Sequence, residues 1–200
     1  MQDLTIRQAR PQDGEKLLAY LKKIGGETDN LSFGQEGLPL SIQEEEAYIQ
    51  SMADQAGALI CLAFNQKDLV ASVSLNPLPG RMGHRAEISL SVLKDYWGQG
   101  LGSLLLEKAL TYARNQGLEF IDLDVAADNT RAIRLYEKFA FKKVARLEDY
   151  FKIHGNYKDF YRMTLDLRLK QVGAFYGARK IKRALVKKDV LKRKNRVIRE

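Results

Sequence analysis

A glycine-dense turn between an alternating strand pattern and a helical pattern constrains the fold of this chain more than any other feature. Residues 92–103 read V-L-K-D-Y-W-G-Q-G-L-G-S, directly after the alternating run E-I-S-L-S-V at 87–92. Glycines let backbone N–H groups approach an anion because no Cβ intervenes, and the start of a helix adds partial positive charge. The turn therefore predicts an anion site, for which the phosphates of a cofactor are the natural occupant.

The spacing of these glycines excludes two common kinds of phosphate loop. A Walker loop ends in Gly-Lys followed by Ser or Thr, whereas Gly102 is followed directly by Ser103. The dinucleotide fingerprint needs Gly-x-Gly-x-x-Gly, whereas these glycines fall at 98, 100 and 102. Taken by itself, the segment is also compatible with a plain tight turn, so the residues that follow it decide its interpretation.

The segment after the turn carries a second pattern. A helical pattern ends at Gly117, residues 120–125 have a strand pattern, and residues 128–141 read D-N-T-R-A-I-R-L-Y-E-K-F-A-F. Together with the glycine turn, this pattern resembles the GNAT superfamily of acetyl-CoA-dependent N-acetyltransferases. The phosphate loop of that family has the form Gln/Arg-x-x-Gly-x-Gly/Ala, and its next helix typically reads Asn-x-x-Ala-x-x-Leu-Tyr-x-x-x-Gly-Phe. The resemblance covers roughly residues 4–167 and implies an acyltransferase.

The order of the predicted elements agrees with the mixed α/β sheet of the GNAT-type acyl-CoA N-acyltransferase fold. Periodicity predicts a strand, two helices, three antiparallel strands and then strand–helix units around the two motifs, although periodicity alone indicates only the α/β class. Ser41 and Glu44 form a predicted capping box at the second helix. We expect one acetyltransferase domain over residues 1–167 and a basic C-terminal extension, residues 168–200, whose apolar residues have near-helical spacing.

Two positions depart from the family pattern. Trp97 stands where the family has Arg or Gln, and we expect a modest loss of phosphate contact because the backbone amides of residues 98–103 remain. Ala140 replaces the glycine that usually ends this helix in a left-handed conformation, so we expect a turn of different shape there. Neither departure removes a group that acetyl transfer requires.

The resemblance implies that acetyl-CoA binds mostly through backbone groups. Residues 90–92 would pair with the pantetheine arm as another strand would, and the N–H near Val92 would donate to the thioester carbonyl oxygen. Arg131 and Arg134 on the next helix are candidates for phosphate contact or for an ordinary solvated face. The residues expected to bind the cofactor are Leu90, Ser91, Val92, Gly98, Gln99, Gly100, Leu101, Gly102, Ser103 and Asn129.

Two side chains are candidates for proton transfer. The resemblance implies that Tyr136 lies near the cofactor sulfur as the general acid; without the family, a core aromatic residue on a helix face is the commoner interpretation. Glu87 lies on the strand that leads into the turn, and alternation places it with Ser89 and Ser91 on one face. It is the candidate base for the attacking amine, with a salt-bridged or solvent-facing residue as the alternative.

The acceptor amine is less well defined. In the family fold the amine enters beside the first two helices, where this chain carries Glu27, Asp29, Glu36 and the acidic run 44–46. An acidic lining would suit a cationic amine, but acids at a helix start are also explained by the helix dipole. We expect a primary amine, with a small molecule slightly favoured over a protein N-terminus such as that of a ribosomal protein.

Positive charge is concentrated at the C-terminus. Residues 168–200 hold thirteen Lys and Arg against two acids, whereas the whole chain has a net charge of +8, so the preceding domain is mildly acidic. A basic amphipathic segment can bind RNA, an acidic partner or an anionic surface, or dock on the domain or on a second subunit of a homodimer. The alternative function is a non-enzymatic acetyl-CoA-binding module that is targeted by this extension.

The remaining features predict a cytoplasmic protein without a metal. Cys61 is the one cysteine and lies in an apolar strand pattern, so an intrachain disulfide is impossible and a buried thiol is expected. No apolar run approaches the roughly 20 residues of a membrane span, and the N-terminus leads into a strand pattern without a signal peptide. The His, Cys and carboxylate residues show no metal-ligand spacing, so we expect no metal.

Overall fold

The computed structural model describes residues 4–169 of the chain. Residues 1–3 and, from residue 170 onward, the predicted basic extension lie outside the described residues. Strands and helices alternate irregularly along the described part. In chain order they are β1 (Leu4–Gln8), α1 (Gly14–Gly25), α2 (Ile42–Asp54), β2 (Leu59–Asn65), β3 (Asp68–Pro77), β4 (Arg85–Val92), α3 (Leu101–Asn115), β5 (Phe120–Ala126), α4 (Thr130–Lys138), β6 (Lys142–Ile153) and β7 (Asn156–Asp166).

The sheet is mixed, as the sequence pattern predicts. Its strand order is β1-β2-β3-β4-β5-β7-β6, and within the described chain β4 and β5 form the one parallel pair. Parallel neighbours need a long crossover, which the glycine turn and α3 provide between β4 and β5. The two motifs of the sequence therefore follow the two strands of this parallel pair.

The strands β4 and β5 separate soon after their pairing begins. The pairing covers three residues of each strand and ends at Glu87 and Asp122. Beyond that point β4 is paired with β3 alone and β5 with β7 alone. A V-shaped gap therefore opens at the carboxyl ends of the two strands, which is where open α/β sheets commonly bind ligands.

The two faces of β4 differ in polarity. On one face, Leu90 and Val92 approach Gly102 at the start of α3, a helix whose leucines are largely buried. On the other face, Ser91 shares a 2.8 Å hydrogen bond with Tyr20 of α1. The alternation predicted for residues 87–92 is confirmed, because Glu87 is exposed on the polar face. Glu87, Ser89 and Ser91 on this polar face line an open cleft together with residues of α1.

Two local predictions, the capping box of α2 and the buried thiol of Cys61, are confirmed. At the start of α2, Ser41 Oγ accepts from the N–H of Glu44 at 3.2 Å, and the Glu44 carboxylate accepts from the N–H of Ser41 at 2.7 Å, which is a complete capping box. Cys61 is buried in β2, and burial raises the pKa of its thiol. Within residues 4–169, none of the helices is long and apolar enough to cross a membrane.

The turn after α4 has the shape that the family glycine would give, so the expectation of a different shape is wrong. Ala140 has a φ of +67°, in the left-handed region. The N–H of Phe141 reaches back to the carbonyl of Tyr136 at 3.1 Å, which is the longer of the two bonds of a Schellman-type helix end. Alanine carries a steric strain in this conformation that glycine does not.

Candidate functional site

The V-shaped gap opens into a cleft of about 980 Å³ that carries both sequence motifs. Its walls come from the loop after α1, from β3 and β4, from the glycine turn, from β5 and α4, and from the β6–β7 hairpin. Nine of the ten predicted cofactor residues line it, and so do Glu87 and Tyr136. The exception is Gln99, whose exposed side-chain amide donates to the carbonyl of Asp95 at 2.8 Å.

The glycine turn presents free backbone donors at the start of α3. Gly98 and Gly100 have φ values of +71° and +83°, the left-handed region that glycine favours. No side chain caps α3, and its first helical hydrogen bond runs from the N–H of Leu104 to the carbonyl of Gly100 at 3.1 Å. The N–H groups of residues 101–103 are therefore available to an anion in the cleft.

The edge of β4 that faces the gap carries unpaired backbone groups. Leu93, directly after β4, donates its N–H to Val70 of β3 at 3.0 Å. Because the direction of backbone groups alternates along a strand, Ser91 also points its groups at β3, whereas Leu90 and Val92 point theirs into the gap. An extended ligand can pair with this edge in the way that another strand would.

Trp97, the departure from the family pattern, connects the strand with α4. Its indole N–H donates to the carbonyl of Val92 at 2.6 Å and so occupies one of the groups that face the gap. The guanidinium carbon of Arg131 lies 4.4 Å from the centre of the tryptophan ring. Arg134, the other candidate on α4, is exposed and does not line the cleft.

Asn129 has a structural role that its sequence motif did not reveal. Its Oδ1 accepts from the N–H of Ala132 at 3.1 Å and caps α4. Asn129 lines the cleft, and its side-chain NH₂ group donates to no described residue. The capping bond therefore fixes the orientation of the side chain and leaves two donors for a ligand.

Tyr136 is buried on α4 and reaches the cleft. Its side chain is 7% exposed, and its ring centre lies 5.6 Å from that of Phe141. Burial raises the pKa of the phenol to about 12, so the hydroxyl is protonated at neutral pH. It makes no hydrogen bond to another residue in the range 4–169, which leaves its proton available for donation into the cleft.

Three carboxylates line the cleft, and Glu87 alone among them has no ion pair with a described residue. Asp122 receives two hydrogen bonds from Arg85, at 2.9 and 2.7 Å. Asp124 likewise receives two from Arg162, at 2.9 and 2.7 Å. No set of three or more His, Cys, Asp or Glu side chains within the described chain is arranged to hold a metal ion.

The cluster around Asp124 was missed from the sequence. The Tyr150 hydroxyl donates to Asp124 at 3.2 Å, and partial burial together with Asp124 raises the pKa of this phenol. Hydrogen bonds to Asp124 raise the pKa of Arg162, and the nearby negative charge of Glu87 contributes to both shifts. Polar alternation within β5 is a signal for Asp124, but Tyr150 and Arg162 are 26 and 38 positions away along the chain.

Glu27, Asp29, Glu36 and the acidic run 44–46 are not among the described residues that line the cleft, so the acidic lining that was one of two interpretations is not formed by them. Glu27 accepts from the backbone N–H of Lys94 at 2.7 Å, and Glu36 accepts from that of Gly34 at 2.7 Å. In the run 44–46, Glu45 is buried and its Oε2 has no hydrogen-bond partner. The carboxylates of β4 and β5 stand in the cleft instead.

Lys158 of β7 holds one wall of the cleft. Its ammonium group donates to Asn30 Oδ1 at 2.9 Å and lies 3.3 Å from the carboxylate of Asp128. Residues 28 and 30–33 of the loop after α1 line the cleft, so this contact fixes the loop beside the β6–β7 hairpin. Because the partners are 128 positions apart, no local sequence pattern indicates the contact.

Comparisons with known proteins agree with this geometry. The sequence profile of the acetyltransferase (GNAT) family matches residues 27–141. Spermidine N(1)-acetyltransferase of Vibrio cholerae is 28% identical over 164 residues, which span 81% of this chain and 92% of that protein. The ribosomal protein bS18-alanine N-acetyltransferase of Escherichia coli is 27% identical over 124 residues, which span 62% of this chain and 75% of that protein.

Solved structures share the fold. An acetyltransferase of the GNAT family from Streptococcus pneumoniae superposes with a TM-score of 0.79 at 31% identity, covering 82% of this chain and 99% of that one. A Salmonella typhimurium protein solved with its cofactor acetyl-CoA has a TM-score of 0.73 at 19% identity, covering 85% of this chain and 96% of that one. The second likeness concerns the fold alone.

Proposed function

Because this chain belongs to the GNAT family of acetyltransferases, we propose that it moves the acetyl group of acetyl-CoA to the primary amine of a small molecule, by direct attack within a ternary complex. The observation that carries the proposal is the continuity of the cleft. The glycine turn, the open edge of β4 and Tyr136 share one cavity with Glu87. Donor and acceptor therefore have room side by side, as direct attack requires.

The residues of the cleft fit acetyl-CoA, the cofactor that the family uses. The free N–H groups of residues 101–103 suit its phosphates, and the open edge of β4 suits its extended, amide-containing arm. The NH₂ group of Asn129 adds a donor on the same side of the cleft. When bound, the cofactor supplies an activated acetyl thioester.

Glu87 is the residue that we assign to the deprotonation of the amine. A typical alkylamine has a pKa of about 10 and is protonated at neutral pH, so it must lose a proton before it can attack. Glu87 is exposed in the cleft, and no cation within residues 4–169 forms an ion pair with its carboxylate. Its exposure lets water relay the proton from the amine to the carboxylate.

The backbone N–H of Val92 is assigned to the developing negative charge on the acetyl carbonyl oxygen. This N–H points into the gap, and the bond from Trp97 to the carbonyl of the same residue holds the end of the strand in place. A single well-placed donor of this kind lowers the barrier of acyl transfer by about 3 kcal/mol. Because the donor is a backbone group, substitution of the Val92 side chain leaves it present.

Tyr136 is assigned to the departing sulfur. Its hydroxyl lacks a partner in the described chain and remains protonated, because burial raises the pKa of the phenol to about 12. A thiol has a pKa of about 8.5, so complete proton transfer from this phenol to a free thiolate is uphill. Tyr136 therefore contributes mainly by donating a hydrogen bond to the sulfur while the C–S bond breaks. Overall, the amine loses one proton and the CoA thiolate gains one.

A small acceptor is favoured by the walls of the cleft and by one of the relatives. The loop after α1, which Lys158 contacts, and the β6–β7 hairpin line the same cleft as Glu87, so a small amine could be enclosed by side chains there. The relative named for spermidine matches over 81% of this chain, whereas the one named for ribosomal protein bS18 matches over 62%. A protein N-terminus is the second candidate because of the latter relative.

The test is a thiol-release assay with acetyl-CoA against polyamines, amino acids, aminoglycosides and short peptides. We expect turnover of a small amine, with kcat lowered about a hundredfold in Tyr136→Phe and the affinity for acetyl-CoA unchanged. Tyr157→Phe, which removes the same hydroxyl from an exposed residue outside the cleft, is the matched control and should behave as wild type. Turnover confined to peptides would move the function to the second candidate, and full activity of Tyr136→Phe would remove the assigned role of the tyrosine.

A further inference from the structure

Positive charge is scarce along the cleft. Among the described residues that line it, Arg131 and Arg162 are the only Lys or Arg side chains. Arg162 is neutralised by its two hydrogen bonds to Asp124. Arg131 is exposed and has no ion pair with a carboxylate in residues 4–169. Among the described residues, the cleft therefore offers one cation without an ion pair, Arg131. It lies against Trp97, which directly precedes Gly98.

A polyphosphate ligand needs more than the backbone donors of the turn. The N-terminus of a helix carries the equivalent of only about half an elementary charge, whereas acetyl-CoA has several full negative charges on its phosphates. Hydrogen bonds between a charged donor and a phosphate are roughly twice as strong as neutral ones. In this chain the loop itself lacks the Arg or Gln of the family pattern, because Trp97 takes that position.

Trp97 is held on two sides in a way that positions the arginine. Its indole N–H is bonded to the carbonyl of Val92 at 2.6 Å, which fixes the plane of the ring. The ring face receives the guanidinium of Arg131 at 4.4 Å from its centre. Stacking uses the face of a guanidinium and leaves its N–H donors, which lie in its plane, free for a phosphate.

We infer that Arg131, which lies over the ring of Trp97, supplies from α4 a cationic contact to the pyrophosphate of acetyl-CoA, because residues 97–103 of the turn contain no Lys or Arg. Arg131 is thus a cofactor-binding residue, and Trp97 is a positioning residue that acts through it. The inference rests on the proposed function, because it concerns the same cofactor in the same cleft. The sequence predicts a modest loss of phosphate contact at Trp97. The inference differs from that prediction, because Arg131 of α4 would replace the lost contact.

Isothermal titration of acetyl-CoA tests the inference without relying on turnover. Arg131→Ala should weaken binding roughly tenfold, the loss expected for one charge-assisted contact at an exposed site. Arg134→Ala is the matched control, because it removes an exposed arginine from the same helix but outside the cleft, and its affinity should stay within about twofold of wild type.

Two further titrations identify the phosphate. Dephosphorylated acetyl-CoA lacks the 3′-phosphate but keeps the pyrophosphate, so Arg131→Ala should weaken its binding by the same factor. Added salt should weaken binding to wild type more than binding to Arg131→Ala, because the variant has lost a charge contact. Thermal melting of each variant checks that it is folded.

The outcomes separate the inference from the proposed function. Any one of three results would overturn the assignment of Arg131. These are wild-type affinity in Arg131→Ala, an effect confined to ligands with the 3′-phosphate, and equal salt sensitivity of wild type and variant. Acetyl-CoA binding by wild type would then leave the proposed function intact. Absence of binding by folded wild-type protein would overturn both.

Discussion

The two halves of the cleft are built in different ways. The half that we propose for the cofactor, the cofactor half, consists mainly of backbone groups from the end of β4 and the start of α3, all within the segment 90–103. The half that we propose for the amine, the acceptor half, consists of side chains from the loop after α1, from β4 and β5, and from the β6–β7 hairpin. Contacts in the acceptor half join residues as far as 128 positions apart, as in the bond from Lys158 to Asn30.

This difference determines how each half responds to substitution. A backbone site depends on the conformation of the chain, so it is sensitive to the left-handed glycines and insensitive to most side-chain changes. A side-chain site depends on individual charges and their partners, so single isosteric substitutions change it. The predictions below test this contrast, from the largest expected effect to the smallest.

The largest effect is expected from Gly100→Ala in the cofactor half. Gly100 has a φ of +83° next to the free N–H groups of α3, so a Cβ strains the turn that presents these groups. We expect acetyl-CoA to bind about thirtyfold more weakly by titration calorimetry. Gly117→Ala is the matched control, because Gly117 has a φ of +75° at the other end of α3. Equal losses of affinity in the two variants would contradict a role of the turn in binding.

Glu87→Gln tests the acceptor half. The amide has the same shape but cannot take a proton, so we expect kcat/KM for the amine to fall about tenfold at pH 7 while the affinity for acetyl-CoA is unchanged. The deficit should shrink as the pH rises towards the pKa of the amine, about 10, because the amine then loses its proton without help. Steady-state kinetics across pH checks this, with Glu107→Gln on α3 as the control. A deficit that is constant with pH would indicate that Glu87 acts as something other than a base.

Glu45→Gln tests a side chain of α2, the helix beside the acceptor half. Burial raises the pKa of Glu45 above its ordinary value of 4.5, and Oε2 has no partner. The folded state therefore resists an ionisation that the unfolded chain undergoes freely, so wild type loses stability as the pH rises from below about 4.5 through the raised pKa. We expect the variant to gain about 1 kcal/mol at pH 7 and nothing at pH 4.

Urea unfolding at the two pH values measures this difference in the free energy of unfolding. Glu46→Gln removes the same charge from the neighbouring, less buried position and should change stability little at either pH. A gain of equal size at pH 4 and pH 7 would mean that packing, and not ionisation, sets the cost of Glu45.

The smallest effect is expected from Ala140→Gly in the cofactor half. The substitution relieves the strain of an alanine at a φ of +67° but increases the freedom of the unfolded chain, and the second effect offsets part of the first. We expect a net gain of about 0.5–1 kcal/mol, which raises Tm by about 1–3 °C in calorimetry. Because Asn129 and Tyr136 lie on the same helix and should not move, acetyl-CoA affinity should be unchanged. A lower Tm would mean that the strain is already relaxed by the surrounding structure.

The cofactor half could be predicted largely from the sequence, with two exceptions. Residues 90–92, the glycines and Tyr136 line the cleft as expected, because alternation in a strand and the conformations open to glycine are local properties. The motif did not indicate that Asn129 also caps α4, or that Trp97 connects Val92 with Arg131. The cap depends on the rotamer of Asn129, and the Trp97 contacts depend on how the turn packs against β4 and α4. Neither can be read from the residue types alone.

The acceptor half was predicted poorly, and Glu27, Glu36 and Glu45 are examples. Each lies in the region of the first two helices, where the family resemblance led us to expect the amine, yet each accepts from a backbone N–H or is buried within the domain. Spacing along the chain cannot distinguish a carboxylate that bonds its own loop from one that faces a ligand. Asp124 with Arg162 and Tyr150 occupies the floor instead.

The sequence by itself determined the family, through the resemblance carried by its two local motifs, and the position of the glycine turn, because strand alternation and glycine conformation are properties of short segments. The tertiary structure alone decided which of the carboxylates and arginines that line the cleft lack an ion pair with a described residue. Pairing depends on where separate strands and loops meet: Arg85 and Arg162 form ion pairs with Asp122 and Asp124, whereas Glu87 forms none within residues 4–169. Chemistry at the acceptor half therefore follows from packing between distant segments, whereas chemistry at the cofactor half follows from the local chain.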